Sequence, residues 1–236
     1  MKKPLEGIRV IDLSRLLAGP LCTMTLGDFG AEIIKIENPK GGDDTRAFGP
    51  PFFEGESAYY LSINRNKKSI TLNLKEERAK KIVRELISKS DVLVENFRPG
   101  TCEKLGLGYQ DVMKLNPKMI YCSISGFGQT GPEKLRPGYD LVVQGMGGIM
   151  DLTGDPEGSP YKVGVSQADL LSGIYALQGI LLALYAREKT GKGQYVDVSM
   201  LDGQISLLTF QAGIYFMTGK APKIKGNQHP TICPYE

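Results

Sequence analysis

The chain has 236 residues, 41% of them hydrophobic and 23% charged, which excludes wholesale disorder and leaves enough apolar surface for a sizeable core. Twenty-nine Lys and Arg against 26 Asp and Glu leave a net charge of +3, too small to mark a nucleic-acid or membrane-surface protein. One histidine, His229, and four cysteines with no CxxC spacing exclude a multi-histidine metal site and a zinc cluster.

Gly7 to Leu13 reads as a first strand, and Ala18 to Phe29 as a helix with Pro20 in its first turn and Gly30 at its end. Ala31 to Glu37 is a second strand, followed by a Gly-, Asp- and Pro-rich loop from Asn38 to Pro51. A third strand is predicted over Ser69 to Leu74 and an amphipathic helix over Glu76 to Ser88. Asp91 to Glu95 and Met119 to Ile124 are further strands. Beyond Gly126 the texture changes to long glycine-rich loops. Asp169 to Arg187 then reads as a buried helix, Gln194 to Val198 as a strand and Leu201 to Met217 as a helix. Strands alternating with helices predict an α/β fold, a Rossmann-like open, mainly parallel sheet with helices on both faces.

The start, MKKPLEGIRVIDLS, lacks the apolar run of a signal peptide, and few unpaired cysteines fit a reducing cytoplasm. The uncharged stretch from Leu170 to Ala186 carries Ser, Gly, Tyr and Gln, and is expected to be a core helix rather than a membrane span.

The first strand and turn read Asp12-Leu13-Ser14-Arg15-Leu16-Leu17-Ala18-Gly19-Pro20, which lacks the G-x-G-x-x-G of a dinucleotide site, and no P-loop occurs. Asp169 is the one acid opening a long apolar helix. Two readings stand: an N-terminal cap, or a carboxylate held at a helix N-terminus as a nucleophile. Arg98, just past the fourth strand, is a candidate phosphate ligand or a solvated turn residue, and Arg46 reads the same way. The cluster Arg65, Lys67 and Lys68 is a solvated face or a phosphate contact.

Ordered along the chain stand Pro4 to Leu13, Ala18-Gly19-Pro20, Gly30 to Glu37, Gly41-Gly42-Asp43 and Asn64 to Ser69. Glu95-Asn96-Phe97-Arg98-Pro99-Gly100, Ser125 to Pro132, Arg187 to Gln194 and Val196 to Asp202 follow. In this order the chain resembles the class III coenzyme A transferases, the group of formyl-CoA transferase and the carnitine CoA-transferases. The resemblance covers nearly the whole chain.

That resemblance implies an enzyme moving CoA from an acyl-CoA to a small carboxylic acid, with CoA as substrate and no metal. Asp169 matches the family's nucleophile, which carries CoA as an aspartyl thioester. By position, the CoA contacts carry over to Leu17, Ala18, Asn38, Leu72, Asn73, Lys75, Asn96, Phe97, Arg98, Lys104, Arg136 and Tyr139. Asn38 stands where family members often have a basic residue, and Arg15 where the residue varies with substrate. The fold also hosts α-methylacyl-CoA racemases, but those place histidine where Gly138-Tyr139-Asp140 has tyrosine. A non-catalytic CoA-binding subunit is the third reading.

The resemblance further implies residues 1–220 as a large domain and 221–236 as the start of a linker to a small domain. On that expectation the chain is an N-terminal portion, without the small domain and the C-terminal return. A cytoplasmic homodimer, interlocked at full length, is expected, with neither nucleic acid nor membrane as partner.

Overall fold

Strands and helices alternate through residues 2–235, the residues that the computed structural model describes. The first half runs β1 (Arg9–Asp12), α1 (Ala18–Asp28), β2 (Glu32–Glu37), β3 (Phe52–Phe53), β4 (Glu56–Ser57), α2 (Ala58–Ile63), β5 (Lys67–Thr71), α3 (Glu77–Ser88) and β6 (Val92–Glu95). The second runs α4 (Thr101–Lys104), α5 (Tyr109–Leu115), β7 (Ile120–Ser125), α6 (Asp140–Met146), α7 (Gln167–Thr190), β8 (Tyr195–Ser199), α8 (Met200–Ser206) and α9 (Thr209–Thr218).

Six strands form one sheet in the order β5-β2-β1-β6-β7-β8, with every pairing parallel. β3 and β4 form a separate antiparallel hairpin. Alternation along each strand sorts its side chains onto two faces. Val10, Val92, Val94, Ile120, Cys122 and Ile124 face α1 and α7. Ile11, Leu93 and Tyr121 face α3 and α5. The sheet is therefore covered on both sides, as its near-continuous apolar strands require. Each fully buried Val or Leu here contributes roughly 1.5–3 kcal/mol of hydrophobic stabilisation.

α7 lies along α1 because Gly173 has no side chain; a Cβ there would sit 2.6 Å from the Ala18 carbonyl oxygen. α7 buries Ala176, Ile180, Ala183 and Leu184 in the core, while Ile174, Leu181, Leu182 and Tyr185 stay exposed. Its length and apolar composition would also suffice to cross a membrane. It ends at Thr190, with Gly191 at a φ of 68° and its N–H on the Arg187 carbonyl at 2.7 Å.

Several expectations shift. The third strand of the sheet is Lys67–Thr71, two residues earlier than predicted, because Lys67 pairs with Ile33 and sends its amine into the interior. The glycine-rich stretch after Gly126 contains a helix, α6, and the loop from Asn38 to Pro51 contains a 3-10 turn over Asp44–Ala47. The helix predicted over Leu201 to Met217 breaks into α8 and α9, with Thr209 at a φ of 37° after the break.

The Arg65, Lys67 and Lys68 cluster is structural rather than a phosphate patch. Arg65 pairs with Asp28 at 2.5 Å and Lys68 with Glu32 at 2.8 Å. Lys67 is buried, with its Nζ 3.2 Å from Asp12 Oδ2 and donating to the Pro20 carbonyl at 2.9 Å. Arg46 is likewise occupied. Its Nε donates to Glu37 Oε2 and its Nη2 to Glu37 Oε1, both at 2.8 Å, and its guanidinium stacks 3.8 Å above the Tyr60 ring. Burial alone would raise the Glu37 carboxyl, but Arg46, Ser69 and the Asp43 amide hold it down at about 2.

Candidate active site

Strand order reverses between β1 and β6, so the loops leaving their C-terminal ends diverge and open a crevice. One side chain ties the two loops together. Asn96 accepts the Arg15 N–H at 2.8 Å and donates to the Arg15 carbonyl at 2.7 Å. Arg15 is thus fixed by its backbone, while its guanidinium lies 3.3 Å from Asp44 and 5.6 Å from the Phe97 ring centre. The next residue, Leu16, has a φ of 66°, and its N–H donates to Asp43 Oδ1 at 3.3 Å.

Two cavities meet at this point, and Arg15 and Phe97 line both. The first, about 260 Å³, gathers Asn38, Leu72, Asn73 and Lys75 on the side of β2 and β5. The second, about 190 Å³, gathers Ala18, Asn96, Arg98, Arg136, Tyr139 and Asp169. Residues spread from 15 to 169 are therefore brought around one crevice. Leu17 and Lys104 line neither cavity. Leu17 packs with Met24 and Ile63, leaving Leu16 and Ala18 as the lining residues. Lys104 is exposed at the end of α4, next to Leu105 of the first cavity.

Asp169 is the third residue of α7, and among the described residues its carboxylate has no hydrogen-bond or ion-pair partner. The cap of that helix is another acid. Asp140 Oδ1 accepts the Ala168 N–H at 2.8 Å and the Asp169 N–H at 3.4 Å, while its Oδ2 accepts from Gln144 Nε2 at 2.7 Å. Asp140 thus satisfies the amide groups that a capping Asp169 would have satisfied. Asp169 is left facing the cavity. Its burial, and then the charge of Asp140, push its carboxyl up to about 7. Tyr59 feels the same charges: burial, then Asp169 and Asp140, push its phenol up. Sequence reasoning missed Asp140 as a site residue; the Gly138-Tyr139-Asp140 triplet was the one visible signal.

The loop carrying Arg136, Tyr139 and Asp140 reaches the crevice because two glycines cross backbone to backbone. A Cβ on Gly138 would lie 2.3 Å from the Gly126 Cα, and one on Gly126 2.5 Å from the Gly138 Cα. Backbone cannot yield as a flexible side chain can. Gly138→Ala is expected to cost about 1–3 kcal/mol in a urea titration and to displace Asp140 from the start of α7. Unchanged stability would show that the crossing is loose.

The arrangement can bind an anion and attack an electrophile. Arg15, Arg98 and Arg136 line the same cavity as Asp169, Arg15 paired with Asp44 at 3.3 Å and Arg136 with Glu133 at 3.4 Å, while burial and Asp140 raise the basicity of the carboxylate. Among the described residues no cluster of three His, Cys, Asp or Glu could hold a metal ion. An open parallel sheet with a crevice at its switch point defines an α/β protein whose ligand site lies beyond the strand ends.

Comparison with known proteins narrows this class. The description of CoA-transferase family III matches residues 5–236. A succinyl-CoA:glutarate CoA-transferase of Mus musculus is 50% identical over 99% of this chain and 54% of its own length. An acetyl-CoA:oxalate CoA-transferase of Acetobacter aceti is 50% identical over 100% of this chain and 60% of its own. The crystal structure of a CAIB/BAIF family protein from Brucella suis superimposes with a TM-score of 0.96 at 48% identity, covering 100% of this chain and 63% of that one. The chain belongs to CoA-transferase family III. It spans little more than half the length of these relatives.

Proposed function

We propose that the chain is the CoA-handling part of an enzyme that moves CoA from an acyl-CoA donor to a carboxylic acid through Asp169. The observation that carries the reading is the unpaired Asp169 carboxylate, facing a cavity lined by three arginines at the switch point.

The chemistry follows from that carboxylate. Ionised Asp169 attacks the donor thioester carbonyl, the C–S bond breaks, and a mixed anhydride and CoA thiolate result. The thiolate attacks the Asp169 carbonyl of the anhydride, expelling the donor acid and leaving an aspartyl-CoA thioester. The acceptor carboxylate then attacks that thioester and again releases the thiolate. The thiolate takes the acceptor's acyl group from the second anhydride, and Asp169 returns free. Anhydrides hydrolyse, so exclusion of water is part of the mechanism. A carboxylate held at raised basicity by burial is the stronger nucleophile.

The class of acid is read from charge. Arg15 and Arg136 line the cavity of Asp169 and pair with the exposed Asp44 and Glu133, at 3.3 and 3.4 Å, partners that a second carboxylate can replace. The two relatives are named for succinyl-CoA with glutarate and for acetyl-CoA with oxalate, so both named acceptors are dicarboxylic while one named donor is not. Short dicarboxylic acids are the proposed acceptors, with a short acyl-CoA as donor. The first cavity, with Asn73 and Lys75, is assigned to the nucleotide end of CoA, and Asn96, Phe97 and Arg98 to pantetheine and phosphates. Residues 1–220 as a large domain, 221–236 as the lead into a second, a homodimer and a cytoplasmic location belong to the same proposal. The exposed apolar residues of α7 and of α9, with Phe216 at 82% and Met217 at 89%, support that larger assembly.

The test is intact mass and peptide mapping after incubation with succinyl-CoA and acetyl-CoA. The expected result is a CoA-sized adduct on the peptide holding Asp169. CoA binding without an adduct from either donor would mark a binding module and overturn the transferase reading.

A further inference from the structure

β6 ends on Glu95, whose side chain is buried at 4% exposure yet takes no part in the chemistry above. Its Oε2 accepts the Phe97 N–H at 2.9 Å. Ser123, its register partner on β7, and Cys102 on α4 stand close enough to hold its carboxyl down. Ser123 accepts in turn from the Tyr195 hydroxyl at 3.2 Å. One carboxyl therefore bonds the loop after β6 while lying between β7 and α4. That loop is Asn96-Phe97-Arg98, and Phe97 lines both cavities.

We propose that Glu95 is a positioning residue: through the Phe97 amide it sets the geometry of the Asn96–Arg98 loop that receives the substrate, without touching the substrate itself. The inference rests on the reading of that loop as part of the CoA site. The position favours this role. Asn96 holds the loop to Arg15 at its side, and the buried Glu95 fixes it from beneath through Phe97. The surroundings also make the link sensitive to protons. The ionisable groups that act on Glu95, or that it acts on, are Glu103, Cys102, Cys122, Tyr121 and Tyr195, none of them a cation. Burial outweighs the hydrogen-bond donors and pushes the carboxyl up to about 7. Ionisation strengthens the bond from Phe97 N–H, so the loop is held more firmly as pH rises through that value.

Two readouts test the proposal in the full chain. With 15N-phenylalanine labelling, the Phe97 amide proton is expected to shift between pH 5.5 and 8.5, and the shift is expected to vanish in Glu95→Gln. The same titration in Glu95→Gln, or a Phe97 amide position at pH 8.5 that Glu95→Gln leaves unchanged, overturns the proposal. The second readout is the Kd for CoA alone by calorimetry. Glu95→Ala is expected to weaken it about tenfold, the effect of losing one buried hydrogen bond to the loop. Glu95→Gln keeps an acceptor oxygen for Phe97 and is expected to restore most of the affinity. Equal CoA affinity in Glu95→Ala overturns the role toward substrate. Should Glu95→Ala fail to fold, Glu95→Gln and the amide titration still decide. If the unmodified chain binds no CoA, the reading of the loop as a CoA site falls, while the Phe97 titration still reports whether Glu95 sets the loop.

Discussion

Replacing Asp169 with asparagine is expected to lower CoA transfer by on the order of 10³-fold or more while leaving CoA bound. The amide has nearly the same shape but cannot attack a thioester. The same carboxyl sets the expected pH dependence. It is held at about 7, and only its ionised form is nucleophilic, so adduct formation is expected to rise from pH 6 to pH 8 and then level off. A rate independent of pH over that range, or transfer surviving in Asp169→Asn, would remove Asp169 from the chemistry.

Stability is expected to move the other way. The folded Asp169 keeps its proton to about 7, while the unfolded chain releases it near the ordinary 3.8. Between these values the folded state binds more protons, so its stability falls as pH rises and then stays level above 7. The gap corresponds to a ceiling of about 4 kcal/mol, reduced because Asp169 is only partly buried. Asp169→Asn escapes this loss. It is expected to melt above the unmodified chain at pH 8, with the difference shrinking toward pH 4. Equal melting temperatures at pH 8 would mean that the acid sits there without strain.

The second large effect lies beneath the crevice. Asp12, at the end of β1, is fully buried and faces Lys67, whose side chain is 1% exposed. It accepts from the Ser14 and Thr23 hydroxyls at 2.5 and 2.6 Å. Beside it Lys35 meets Asp43 at 2.9 Å. Burial alone would raise the Asp12 carboxyl, but Lys67, Lys35 and the two hydroxyls hold it down at about 2. Asp12→Ala strands Lys67 inside the protein and is expected to cost about 3–5 kcal/mol in urea titrations. Pairing it with Lys67→Met is expected to restore a large part, because the orphaned charge is what costs most. Because the Asp12 carboxyl is depressed, its contribution is complete above the unfolded value near pH 4. It is lost as pH falls toward 2. Additive losses in the double variant would show that the two groups act separately.

These two acids show what could be read from the chain alone. Asp169 stood out because a single acid at the head of a long apolar helix breaks the pattern. Its role stayed open between cap and nucleophile, because capping depends on which carboxylate reaches the helix amides. Asp140, 29 residues earlier, reaches them, and only the crossing of Gly126 and Gly138 brings it there. Asp12 gave no such signal: in sequence it is one polar residue at a strand end, and Lys67 is one base in a basic run. Their pairing crosses 55 residues and exists only because β5 adds to β2 and turns Lys67 inward.

Local pattern determined the α/β class, the apolar strands, the long helix from α7's first turn onward and the ordered motifs of the family. Those features depend on side-chain periodicity and on glycine and proline within a few residues, which a single sequence displays directly. Strand order, the reversal between β1 and β6, and the crevice it opens depend on contacts between residues far apart. So do the α6 helix hidden in glycine-rich sequence, the break between α8 and α9, the pairing of Arg46 with Glu37 and the burial of the Lys67 and Glu95 side chains. In each case the deciding energy is the desolvation and pairing of a group whose partner lies elsewhere in the chain, and only the folded structure brings the two together.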